Sequence, residues 1–92
     1  MKLNLDKNVL DLKGNPVTAK LSDLLANALA TATIGKPARM ITWAVNLTNN
    51  GEIDIDSNDT HFLRDFLENK CQSIANIAKM QILDEIEKTQ KG

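Results

Sequence analysis

The stretch from Leu21 to Thr33 constrains the fold most, because its apolar residues follow the spacing of one helix face. Ser22 is placed to cap the first turn, and Gly35 follows the stretch where a left-handed residue can end a helix. We therefore predict a helix over about residues 22–34. Its apolar stripe must be covered by another element, and it consists of Leu21, Leu24, Leu25, Ala28, Leu29 and Ala32.

A second helix is predicted over about residues 37–48, directly after the short Gly35-Lys36-Pro37 connection. Proline suits the first position of a helix, because the amide hydrogen that it lacks would have no partner there. The alanines of the first helix allow a neighbour to approach closely, so the two helices are expected to form a tight hairpin. The apolar residues of the second helix occupy more than one face, which indicates contacts from two sides.

The remaining pattern predicts a mostly α fold with a minor β component in a single domain, residues 1–92. Lys13-Gly14-Asn15-Pro16 has the turn chemistry of a β-hairpin over about residues 8–19. The alternating residues 52–55 predict a short strand that pairs with this hairpin. Ser57 is the expected cap of a third helix over about 58–69, and a fourth helix is expected over about 73–88.

Composition excludes several classes of function. The chain is 42% apolar and 25% charged with a net charge of −1, and it lacks the block of cations that binds nucleic-acid phosphates. Nucleic acid is therefore an improbable partner. No apolar run reaches the length of a membrane span, and the start lacks the pattern of a signal peptide. With Cys71 as its single cysteine, the chain is expected in a reducing cytoplasm without membrane attachment.

An acidic turn at residues 54–59 resembles a calcium loop in part of its spacing. Asp54, Asp56, Asn58 and Asp65 stand at relative positions 1, 3, 5 and 12. An EF-hand requires Gly at position six and Glu at position twelve, whereas this register has Asp59 and Asp65. Capping of the third helix is the favoured interpretation, with calcium binding as an alternative, and no metal ligand is assigned.

No catalytic set emerges from the remaining reactive residues. His61 and Asp65 are four residues apart on a face that should be exposed, and no serine or cysteine is placed beside them. Cys71 is adjoined by a single cation, Lys70, and is expected to be a buried filler. We therefore predict no enzymatic activity, no catalytic residues and no cofactor.

Four apolar residues are candidates for contact with a partner because the second and fourth helices carry more apolar surface than a small fold easily hides. Trp43 is the most prominent, since indoles dominate binding hot spots, although burial in the core also explains it. The other three residues, Met40, Met80 and Leu83, likewise either contact a partner or belong to the core. The candidate partner-binding residues are Met40, Trp43, Met80 and Leu83.

Three segments, residues 11–17, 21–29 and 53–57, together resemble a loose family of small bacteriophage and prophage proteins. The resemblance implies an accessory protein without a recognised catalytic set, and it transfers no site residue. We therefore expect a non-catalytic protein-interaction or assembly accessory protein that binds a protein partner or forms a homo-oligomer. The alternatives are a small nucleic-acid-binding regulator with a helix-turn-helix-like pair, and the calcium-binding module.

Overall fold

The computed structural model describes residues 1–33 and 35–91, and it confirms a mostly α fold with minor β structure. Helices dominate, and two small antiparallel sheets of two strands each accompany them. In chain order the elements are β1 (Lys2–Asn4), β2 (Asn8–Leu10), β3 (Pro16–Lys20), α1 (Leu21–Thr31), α2 (Pro37–Asn50), β4 (Glu52–Asp54), α3 (Ser57–Asp65), a π-helical turn (Phe66–Lys70) and α4 (Asn76–Lys91).

The predicted β-hairpin is present as β2 and β3. Asp11 donates its backbone N–H to the Asn15 carbonyl at 2.9 Å, and Gly14 donates to the Asp11 carbonyl at 2.9 Å. Gly14 has a φ of +85°, as the last residue of a three-residue hairpin loop requires. The local turn chemistry thus correctly indicated where the chain reverses.

The predicted strand at 52–55 exists as β4, but its expected pairing with the hairpin is wrong. β4 pairs with β1 instead, with Leu3 opposite Ile53. Both side chains are buried, at 0% and 3% exposure, so this pairing adds two apolar side chains to the core. Pairing of β4 with the hairpin would bury less apolar surface, because every residue of β3 is exposed.

The ends of α1 differ from the prediction. The helix begins at Leu21, and its first two amides donate to backbone carbonyls of the preceding segment, Leu21 to Lys7 and Ser22 to Leu5. Ser22 is therefore a residue of the first turn and not the cap. The helix ends at Thr31, before the predicted end at residue 34, which lies outside the described residues.

The second helix begins at Pro37 as predicted and continues to Asn50, two residues beyond the expected end. Gly51 ends it with a φ of +74° and donates its N–H to the Leu47 carbonyl. α1 and α2 contact each other more extensively than any other pair of elements, which confirms the predicted helical hairpin. Ala26 lines one cleft with Thr48, and Ala32 lines the next cleft with Pro37, so the two helices are antiparallel.

The third and fourth helices are present with shifted boundaries. Asp56, not Ser57, caps α3, and the following π-helical turn carries the chain to Lys70. α4 begins at Asn76, three residues after the prediction. Residues 71–75 lie between the π-helical turn and α4. Two contacts hold this segment against the helices: Lys79 donates to the Cys71 carbonyl, and Ile74 is buried at 4% exposure.

Gln81 of α4 attaches the hairpin to the helices. Its side-chain amide accepts from the Leu10 N–H at 2.9 Å and donates to the Leu10 carbonyl at 2.8 Å, as a neighbouring strand would. We expect Gln81→Leu to lower the free energy of unfolding by about 1 kcal/mol, because two hydrogen bonds are lost while both Leu10 groups can reach water. The loss of hydrogen-exchange protection at the Leu10 amide should be larger than the loss of global stability.

Hydrogen exchange measured by NMR checks this prediction. The Leu10 amide should exchange faster in Gln81→Leu, while amides of α2 keep their protection relative to global unfolding. Gln72→Leu, at an exposed position outside the hairpin contact, is the control and should leave the Leu10 amide unchanged. Unchanged Leu10 exchange in Gln81→Leu would show that the hairpin is held by other contacts.

Candidate protein interface on the helical hairpin

The structure separates the four predicted partner-binding residues. Met40 and Trp43 are 1% and 4% exposed and belong to the core, the alternative that the sequence left open for both residues. Leu83 is half-buried against the same core. Met80 is 58% exposed on α4 and remains at the surface.

The surroundings of Trp43 account for its burial. Its indole lies 6.0 Å from the Phe62 ring between centroids, and the Arg39 guanidinium lies over the indole at 5.2 Å from the centroid. Met40 is enclosed nearby, because a side chain at Gly35 would lie 2.8 Å from the Met40 sulfur. The inward face of α2 is therefore satisfied within one copy of the chain.

The outward face of α2 carries two large apolar side chains that remain exposed. Ile41 is 46% exposed and Val45 is 50% exposed. Sequence reasoning noted the second apolar face of this helix but selected Met40 and Trp43, which are buried in the core. The sequence could have indicated Ile41 and Val45, because their i, i+4 spacing places them together on one side of the helix.

Ile41 and Val45 border two shallow clefts between α1 and α2, each of about 300 Å³. The clefts adjoin, because both are lined by Ala30 and Ile41. We refer to the combined surface as the hairpin face. Its lining residues are Ala26, Asn27, Leu29, Ala30, Ala32, Thr33, Gly35, Pro37, Met40, Ile41, Ala44, Val45, Thr48 and Asn49.

No charged side chain occurs among the described residues that line the hairpin face. α1 and α2 together contain 25 residues, and their charged residues are Asp23 and Arg39. By contrast, six of the 16 residues of α4 are charged. Depletion of charge with retention of apolar side chains is the composition of an interface core rather than of an ordinary solvated surface.

The acidic turn is used internally. The Asp56 side chain accepts from the Asp59 N–H at 2.8 Å, and the Asp59 side chain accepts from the Asp56 N–H at 3.0 Å. Asp59 also forms an ion pair with Arg39 of α2. Within residues 1–33 and 35–91, no group of three or more His, Cys, Asp or Glu side chains is arranged to hold a metal ion. Helix capping thus accounts for this turn.

Folding lowers the pKa of Asp59. Burial raises the pKa of this carboxyl group, but the N–H of Asp56 and the guanidinium of Arg39 together lower it more. A carboxyl group with a lowered folded pKa stabilises the native state above its unfolded pKa of about 3.9. This contribution is lost as the pH falls through the still lower folded pKa.

The pH dependence of stability should therefore change in Asp59→Asn. We expect the free energy of unfolding of the unsubstituted chain to fall more steeply between about pH 5 and pH 2 than that of Asp59→Asn. Urea unfolding at a series of pH values measures both slopes. Asp54→Asn, at an exposed strand position, is the control and should retain the steeper slope. Equal slopes for all three chains would contradict the assignment to Asp59.

The reactive residues do not come together. His61 is exposed, and the carboxylate of Asp65 accepts from Asn69 at 2.8 Å and pairs with Lys70 at 2.9 Å. Cys71 is 6% exposed, with its sulfur 3.6 Å from the Ser73 hydroxyl. The predicted role of Cys71 as a buried side chain is confirmed. The partners of the Asp65 carboxylate are thus Asn69 and Lys70, and none of the catalytic sets considered from the sequence is assembled around His61 within the described residues.

Neither helix pair has the arrangement that a helix-turn-helix reader requires. α1 and α2 pack antiparallel along their length, whereas a recognition helix crosses its partner steeply so that it can project into a groove. A π-helical turn and residues 71–75 separate α3 from α4. This geometry gives no support to the nucleic-acid alternative.

No protein-family model, curated protein or solved structure matches the chain. In the part of the chain that the structure describes, no helix combines the length and the apolar character needed to cross a membrane.

Proposed function

We propose that this chain is a non-catalytic protein-interaction module that binds through the hairpin face. The observation that carries the proposal is an uncharged surface with Ile41 and Val45 about half exposed, whereas six of the 16 residues of α4 are charged. Exposed apolar surface of this kind is unfavourable in water, and a partner that covers it gains its burial free energy.

The alanines of the hairpin face favour a helical partner surface. Ala26, Ala30 and Ala44 leave shallow clefts between the larger side chains, so ridges of a partner helix can enter them. Asn27 and Asn49 at one end offer side-chain hydrogen bonds that can set the position of the partner along the groove. An accessory role in phage or prophage assembly is part of this proposal, and the resemblance to small phage proteins supports the accessory role.

Site-specific photo-crosslinking in cells that carry the gene tests the proposal. A benzophenone amino acid at position 45 should give an adduct of defined mass, whose components are identified by mass spectrometry. The same residue at position 58, which is exposed at the start of α3, is the matched control and should give none. The adduct should disappear when Ala30→Glu is added, because a charge then stands in the groove. Absence of any adduct at position 45 would remove the proposed function.

A further inference from the structure

The hairpin face also limits what its partner can be. We propose that it binds the hairpin face of a second copy of this chain, so that two helical hairpins form an antiparallel four-helix arrangement around a two-fold axis. This inference rests on the proposed function and identifies the partner. Two properties of the face support it, its charge and its width, and its area sets the expected affinity.

The first property is the absence of charge. A two-fold axis brings a surface onto itself, so every charged residue near the axis would meet its own like charge. The described residues that line the hairpin face carry no charge, and the nearby Arg39 is turned to Asp59 in an ion pair. Self-association therefore opposes no like charges, and an apolar surface with small side chains is complementary to itself.

The second property is the width of the face. Its clefts extend over both helices, which together span on the order of 20 Å, whereas a single helix covers about 10 Å. A lone amphipathic helix would thus leave one side of the hairpin face in water. A second hairpin has the same width, and it can cover Ile41 and Val45 on α2 and Ala30 on α1 together.

The area of the face sets the expected strength of this association. α2 contains 14 residues, so the face is about 21 Å long and its footprint is on the order of 400 Å² per copy. Stable interfaces bury about 800 Å² per partner, so this dimer belongs at the weak end of specific association. We expect a reversible dimer with a dissociation constant in the range of about 10–100 μM.

Sedimentation velocity of the full chain from about 5 μM to 1 mM tests the inference. The unsubstituted chain should shift from monomer to dimer with rising concentration. Val45→Glu should weaken the dimer about 100-fold or more, because each interface then buries two unpaired carboxylates. Met80→Glu is the matched control: it introduces the same charge at a similarly exposed apolar residue on α4 and should dimerise normally. Ile41→Gln serves as a second, milder substitution on the face.

Several outcomes would overturn the inference. A monomer at every concentration would do so, as would dimers lost in Met80→Glu and kept in Val45→Glu. Assemblies larger than a dimer that are abolished by Leu12→Asp would indicate head-to-tail contacts made by the 95% exposed tip of the hairpin. A strict monomer whose position 45 crosslinks to another protein would overturn the inference while leaving the proposed function standing.

Discussion

Gly51→Ala is expected to lower the free energy of unfolding by about 3 kcal/mol, which is a large part of the stability of a chain this small. Gly51 has a φ of +74°, where an L-residue is disfavoured by about 1–2 kcal/mol. A Cβ at this position would also lie 2.5 Å from the Cβ of Asp6, so the neighbouring backbone must move. The same residue accepts the N–H of Leu5, and the strain therefore acts on the packing of the N-terminal segment.

Gly14→Ala is the matched control for this prediction. Gly14 also has a positive φ, of +85°, but a Cβ added there meets no atom within 4 Å. The positive φ still disfavours alanine at this position, but the new Cβ meets no neighbour. We therefore expect the free energy of unfolding to fall by about 1 kcal/mol. Urea unfolding followed by circular dichroism measures both variants. Equal losses at the two positions would show that contact with Asp6 contributes nothing.

Trp43→Ala is expected to lower the free energy of unfolding by about 4 kcal/mol, because it leaves a large cavity in the core. Trp43 is 4% exposed and packs against Phe62 and Arg39, so both contacts are lost with the ring. Trp43→Phe, which keeps an aromatic ring, should lose less and provides a folded variant if the alanine variant does not fold.

Met80→Ala is the comparison for Trp43→Ala, since sequence reasoning made both residues candidates for partner contact. Met80 is 58% exposed, and its truncation should change the free energy of unfolding by less than about 0.5 kcal/mol. Urea unfolding of the three variants measures these differences. A stable Trp43→Ala chain would mean that the indole is not part of the core and would restore it as an interface candidate.

The experiments on Val45 and Trp43 examine the two faces of one helix. Substitution on the inward face should affect folding, whereas Val45→Glu on the outward face should affect association and leave the monomer folded. This separation is measurable because Val45 is half exposed and Trp43 is not. The same comparison shows whether the hydrophobic core is complete in one copy of the chain or extends across an interface.

Features that depend on neighbouring residues could be predicted from the sequence. Pro37 begins α2 because of its missing amide hydrogen, and Gly14 places the hairpin turn because it tolerates positive φ. The helical hairpin also followed from sequence, because its periodicity is strong and the connection is short. The apolar spacing even showed that α2 has two apolar faces.

The sequence could not show which of those two faces is covered, because burial depends on elements that are distant along the chain. Phe62 of α3 encloses Trp43, and no element among the described residues seals the clefts beside Ile41 and Val45. Long-range contacts likewise set the partner of β4 and the start of α1, whose first amides donate to carbonyls of the N-terminal segment. Periodicity gives the direction in which a side chain points from its helix, but not what lies there.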